Sequence, residues 1–213
     1  MLCAILAGCA TSRSEVTLSA PAANTAQAVA SNGYVVAIRS VKDERVFEQE
    51  PSNPGTPSLG FEGASKAKAE LKLRAIARKR NTFGKALGDV MLEGNQTVES
   101  VMRANLTSSF EQAGYRVITG GTDDPSVLIV DVRIKKFWAW MQPGFWALTL
   151  NADIATDLVL SGSVAPTTVS VHVEDGRQIV TDGAWIEIID AALTDYRKQA
   201  ATKLLPAKIA AKK

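Results

Sequence analysis

The stretch 126–162 limits the fold more than any other part of the chain. In "SVLIVDVRIKKFWAW" (126–140), Leu128, Val130, Val132 and Ile134 alternate with Asp131, Arg133 and Lys135. A period of two places the two sets on opposite faces of an extended strand. "GFWALTLNADIATDLVLSG" (144–162) repeats the pattern, with Trp146, Leu148, Leu150, Ala152, Ile154, Leu158 and Leu160 inward and Asn151, Asp153 and Asp157 outward. Met141-Gln142-Pro143-Gly144 between them is a turn signal, because Pro presets its own φ and Gly accepts angles closed to other residues. Two long strands joined this tightly predict a β-hairpin. An isolated hairpin is marginal in water, so its apolar face must be covered.

The cover is legible as helices. Over 96–113, Val98, Val101, Met102, Leu106, Phe110 and Ala113 recur every three or four residues and form one apolar stripe. Asn95 or Thr97 can cap its start, and Gly114 stands where a C′ glycine should. From Ala184, the residues Trp185, Ile188, Ile189, Ala192, Leu193, Tyr196 and Ala200 keep helical spacing up to Leu204, with Pro206 just beyond. "YVVAIRSVKDERV" (34–46) reads as a strand and charged turn, "GDVML" (88–92) as a short strand, and "TTVSVHV" (167–173) as a third antiparallel strand. The Pro- and Gly-rich stretch 48–63 is a loop. "KAKAELKLRA" (66–75) alternates charge with Ala or Leu, which argues for a half-buried strand, although its composition favours helix. The predicted class is α+β: a mostly antiparallel sheet with two main helices packed on one face, in a single domain over 34–206.

The ends of the chain bear on location. "MLCAILAG" is too short to span a membrane. With no basic segment before it, since Met1 is followed directly by Leu2, it reads as the remnant (1–8) of a signal peptide. Leu6-Ala7-Gly8-Cys9 resembles the lipobox of bacterial lipoproteins, placed at the end of an apolar run. That resemblance implies that Cys9 is acylated, palmitate included, and becomes the mature N-terminus; the alternative is a buried segment with an ordinary Cys. Cleavage there removes Cys3, the other cysteine of the chain, so the mature body holds no internal disulfide. Several acyl chains anchor firmly, at about 0.8 kcal/mol per buried CH₂. Ala10, in place of Asp, implies by the same resemblance the periplasmic face of the outer membrane. Residues 9–33, rich in Ala, Ser and Thr, read as a lipidated flexible tether of about 27 Å, with "EVTLS" able to dock as an edge strand. Residues 207–213 are a basic tail.

The whole pattern resembles the YajG-type family of small outer-membrane lipoproteins. It does so through the lipobox, Asp43 and Arg45 after the first strand, "AIARKRN", "FEQAGYRV", and the strand "LNADIATDLVL". The resemblance implies fold and location and assigns no reaction. The loop 48–63 is longer than the family pattern.

Two segments are candidate binding surfaces. "KFWAWMQPGFW" (136–146) concentrates Trp138, Trp140, Phe145 and Trp146 around the turn. Such rings suit a partner protein or a membrane interface, being apolar with a polar handle; equally, they can pack on loop 48–63 or on each other. The segment 66–85 carries eight basic residues, among them Arg74, Arg78, Lys79 and Arg80, against Glu70 alone. It is a candidate anion site for lipid headgroups or other envelope anions rather than nucleic acid, or else a solvated strand face. The net charge of +2 calls for no polyanion. His172 has no second His or mature-body Cys to build a zinc site. Asp123-Asp124 sit in a Gly/Pro turn, and neither a nucleophile elbow nor a phosphate-cradling loop occurs. No catalytic residue, metal or cofactor is assigned. The expectation is a non-enzymatic lipoprotein that is anchored to the membrane and binds an envelope protein or assembly. The alternatives are an auxiliary lipoprotein of a lipid or glycan transport system, which needs an apolar cavity between sheet and helices, and, less favoured, a cell-wall hydrolase.

Overall fold

The computed structural model describes residues 13–22, 31–60, 63–81, 85–144 and 146–205. In chain order the elements are β1 (Ser14–Val16), β2 (Val35–Asp43), α1 (Ala69–Arg74), β3 (Ala75–Arg80), β4 (Ala86–Leu92), α2 (Val98–Gln112), β5 (Arg116–Ile118), β6 (Leu128–Pro143), β7 (Leu148–Leu160), β8 (Thr167–Arg177) and α3 (Asp182–Lys203). The class is α+β. The predicted hairpin is β6–β7, antiparallel from Val130↔Leu160 to Pro143↔Leu148, and β8 continues it antiparallel. The other edge of β6 has two neighbours in succession: β2 runs parallel to residues 128–134, and β3 is parallel at Ala139. β2 leads on to parallel β5; β3 leads through antiparallel β4 to parallel β1. The sheet is therefore mixed. The expected antiparallel order holds for β6–β7–β8, while β2 and β3 reach β6 by crossover connections, which give parallel neighbours.

A bulge in β6 between Ile134 and Lys136 decides which residues face the main core. Before it the even positions Val130, Val132 and Ile134 join that core; after it the odd positions Phe137 and Ala139 do. Both long helices contribute to the same core, α2 through Met102, Leu106 and Phe110 and α3 through Ile188, Ile189 and Tyr196. Every residue of the two predicted helical stripes is buried. Thr97 starts α2 with a reciprocal cap: its Oγ1 accepts the Ser100 N–H at 3.1 Å, and its own N–H donates to Ser100 Oγ at 3.0 Å. Gly114, at φ +87°, ends it. Its N–H donates to the Glu111 carbonyl at 2.9 Å, and the Tyr115 N–H to that of Phe110 at 3.0 Å.

Arg45 fills the fork where β2 leaves β6 and β3 joins it. Its guanidinium donates to the carbonyls of Lys72, Ala75 and Phe137 at 2.7, 2.7 and 2.8 Å, and grips both carboxylate oxygens of Asp43 at 2.8 and 2.7 Å. Neither side chain of the pair is appreciably exposed. Backbone acceptors that a forked sheet leaves without ladder partners are satisfied by one planar side chain.

One expectation is corrected here and one is met. Residues 69–74 of "KAKAELKLRA" are helix, not strand. None of the six is buried, so alternation has no apolar surface to read it, and the helix preference of Ala, Glu, Leu, Lys and Arg prevails; the strand starts at Ala75. The tether is docked along part of its length: β1 pairs with β4, Leu18 is buried, and the Gln96 amide bonds both its N–H and C=O at 3.0 and 2.8 Å. The signal remnant 1–8, Cys9, Ala10, residues 23–30 and the tail 207–213 lie outside the described residues.

Candidate functional site at the hairpin end of the sheet

Strand directions gather the chain's unusual residues at one end. β3 runs parallel to β6, so its cationic end, Lys79 and Arg80, lies beside the end of β6. β4 is antiparallel to β3 and begins there, with Arg80 opposite Ala86. β8 ends there too, Arg177 being opposite Leu148, and α3 starts from the same end under a Thr181 cap. Between these elements lies a cleft of about 630 Å³. Leu87, Met141, Leu148, Val180 and Trp185 supply its apolar lining. Lys79 and Arg80 both line it as well, because the β3–β4 register shifts between them.

The charged groups around the cleft have partners on several elements. Lys79 Nζ lies 3.0 Å from Asp182 Oδ1. Arg80 reaches Ser58 Oγ at 3.5 Å, and burial, then the neighbouring Arg78 charge, lowers its pKa from the ordinary value. Arg78 stands opposite Asp89 in the ladder. Asp89 is fully buried and accepts from Arg13 Nε at 3.0 Å and the Gly60 N–H at 2.7 Å. Lys85 is exposed in the turn between β3 and β4. Arg74 does not belong to this group. Its Nε donates to the Leu92 carbonyl at 2.7 Å and its Nη2 to Glu15 at 2.5 Å, which makes it a clasp between α1, β4 and β1. The predicted anion set thus divides: Arg78, Lys79 and Arg80 come together and Arg74 is structural.

The aromatic candidates divide in the same way. Trp138 and Trp140 are 1% and 8% exposed and are core residues, not tip contacts. The bulge turns them out of the core that α2 and α3 share, and the loop beginning at 48 covers them with Leu59. Trp138 donates to the Pro54 carbonyl at 3.2 Å, and Phe47 meets its ring edge-on at 6.0 Å. Gly55 lies so close to the Trp140 indole that a Cβ there would stand 3.3 Å from it. Asn151, expected outward, is buried opposite Trp140. Trp146, expected inward by its alternation, is instead 85% exposed at the hairpin tip. Phe145 lies outside the described residues. Near Trp146, Ile179 is also exposed, on the rim of the cleft just past β8.

His172 sits half-exposed on the face that carries Trp140, its Nδ1 2.8 Å from Asp153, which also takes Lys136 at 2.8 Å. Asp124 shapes its turn as expected: it accepts the Ser126 hydroxyl and N–H at 2.7 and 2.9 Å, and those bonds hold its carboxyl below the usual range. The cleft itself was missed from sequence. The available signal was Ile179-Val180, two apolar residues directly before a helix cap, where a surface turn is ordinarily polar.

No protein-family model and no curated protein matches the sequence. By structure, solved proteins are similar. Protein XCC0632 from Xanthomonas campestris, described under the family model DUF330, covers 95% of this chain and 98% of its own, at 12% identity and a TM-score of 0.48. A neuraminyllactose-binding hemagglutinin homolog from Helicobacter pylori covers 91% and 97%, at 11% identity and a TM-score of 0.44. An uncharacterized protein covers 90% and 95%, at 10% identity and a TM-score of 0.39. Among the described residues, no helix is long and apolar enough to cross a membrane.

Proposed function

We propose that this chain is a non-enzymatic envelope lipoprotein of YajG type, acylated at Cys9, held at the periplasmic face of the outer membrane, and acting by binding an envelope protein or assembly. The observation that carries the reading is the convergence at the hairpin end. An apolar cleft rimmed by Lys79 and Arg80 opens there, and Trp146 is exposed at the tip of the hairpin. Aromatic and cationic side chains around an apolar hollow are a binding arrangement. In this reading α2 and α3 cover one face of the sheet, which leaves the hairpin end open. The auxiliary role in lipid or glycan transport draws separate support from the cleft, whose apolar lining and volume fall within the range of small-molecule sites.

Two measurements test the proposal. Metabolic acyl labelling should mark the native protein and lose the mark in Cys9→Ser; an unlabelled native protein defeats the anchor. Photo-crosslinking in cells from positions 79 and 146 should capture the same target, whereas targets captured only from the opposite end of the sheet would move the working surface elsewhere.

A further inference from the structure

The first residues of the ordered body say how the domain stands on its membrane. β1 is parallel to β4, with Ser14 opposite Val90 and Val16 opposite Leu92. Its chain therefore enters from the end where β4 begins, which is the end of the cleft, the cationic tip of β3 and the hairpin turn. Arg13 is pinned at that entry by the buried carboxylate of Asp89 at 3.0 Å. Four peptide units separate Arg13 from Cys9. Fully extended, they span at most about 14 Å. The leash is thus a few residues long, not the whole stretch to residue 33 that composition suggests.

We infer that the hairpin end of the domain rests on an anionic lipid bilayer, with Trp146 and Ile179 at headgroup depth and the basic β3–β4 end, where Lys85 is exposed, toward lipid phosphates. The inference rests on Cys9 acylation alone; it sets the bilayer, in place of an envelope protein, against the hairpin end and leaves the protein partner to another face. A fatty anchor within about 14 Å of Arg13 leaves the end it leaves from no room to face elsewhere. Charge agrees. Toward the cleft end Arg13, Arg78, Lys79, Arg80, Lys85 and Arg177 stand against Asp89, Asp182, Asp175 and Glu187, an excess of two positive charges among these groups. Positive excess within a Debye length of the surface, about 8 Å in physiological salt, is attracted by anionic headgroups. Trp is the residue type that settles at a membrane interface, and Trp146 is the exposed one of the four, Trp138, Trp140 and Trp185 being buried. A cleft with an apolar lining that opens toward acyl chains also loses the cost of facing water.

The test uses the full chain with Cys3→Ser, coupled through Cys9 to a maleimide lipid in vesicles of phosphatidylglycerol and acyl-brominated phosphatidylcholine. Chemical coupling makes the result independent of whether cells acylate Cys9, which acyl labelling decides separately. Brominated chains should quench tryptophan emission, and the quenching should disappear in Trp146→Phe, a change at an exposed site that leaves folding intact. For the uncoupled Cys3→Ser, Cys9→Ser chain, Lys85→Gln should weaken partitioning onto the same vesicles about fivefold, the factor that about 1 kcal/mol per basic residue gives. Absent quenching, or quenching unchanged by Trp146→Phe, overturns the orientation. So does a protein adduct captured from position 146 in cells when vesicles give no quenching, which would assign the hairpin end to a protein partner.

Discussion

Replacing Arg45 by Met tests the account of the forked sheet directly. The change keeps a long unbranched side chain and removes the charge and its donors. In the structure this guanidinium donates five hydrogen bonds: three to the carbonyls of Lys72, Ala75 and Phe137 and two to the Asp43 carboxylate. Without it, Asp43 keeps a charge with 5% of its side chain exposed and no cation beside it, though it still accepts the Arg45 backbone N–H at 3.1 Å. Breaking a buried pair on one side costs about 3–5 kcal/mol. For a chain of this size each kcal/mol lowers Tm by about 2–4 °C, so the expected fall is roughly 6–20 °C. Urea unfolding followed by circular dichroism measures the loss, with an unchanged m-value showing that the native state stays compact. The double variant Asp43→Asn, Arg45→Met removes the orphaned charge and should regain about 1–2 kcal/mol over Arg45→Met alone. A loss under about 1 kcal/mol for Arg45→Met, the range of an exposed pair, would refute the reasoning.

Three further outcomes follow from the same structure. Thr97→Ala removes half of the reciprocal cap on α2 and should cost about 1 kcal/mol by urea denaturation. Asp89→Asn removes the carboxylate that holds Arg13 and the Gly60 N–H. It should lower stability by about 1–3 kcal/mol and expose residues 13–18 to limited proteolysis, while an unchanged digestion pattern would show β1 held by its ladder alone. The third concerns alkali. Burial, and then the nearby Tyr34 charge, push the Tyr115 phenol up to about 12, whereas an unfolded tyrosine ionises near about 10. Between those values the unfolded chain releases a proton that the folded chain keeps. Stability is therefore full below about pH 10 and falls as pH rises through the window to about 12. Burial drives Tyr196 upward as well, against the Thr156 hydrogen bond at 2.6 Å. Urea midpoints across that window should fall less steeply in Tyr115→Phe.

Patterns that bury one face were legible residue by residue. The stripes of α2 and α3 and the inward set Val130, Val132 and Ile134 were read correctly because a single apolar surface imposes the period. The parallel neighbours of β6 left no local trace, since a crossover pairs residues some ninety positions apart, as Val36 with Leu128. Of the two readings open for the hairpin rings, Trp138 and Trp140 take the one in which they pack on loop 48–63, and sequence alone did not choose it for a related reason. Their burial depends on a bulge at 134–136 and on a loop covering them from far back in the chain, and alternation reports neither. The basic segment was legible as a cluster, but only strand direction showed that Arg78, Lys79 and Arg80 share an end with the hairpin while Arg74 clasps Leu92 and Glu15.

The double-sided role of β6 sets the order in which the chain can fold. β2 has β5 and β6 as its ladder partners, and β3 meets β6 at Ala139. A polypeptide made from its N-terminus must therefore hold β2 without its main partner until residue 128 and beyond have been synthesised. Such late, distant pairing makes for slow folding. Under the proposed export to the envelope, the same delay would keep the first half threadable until the strand that organises it has followed.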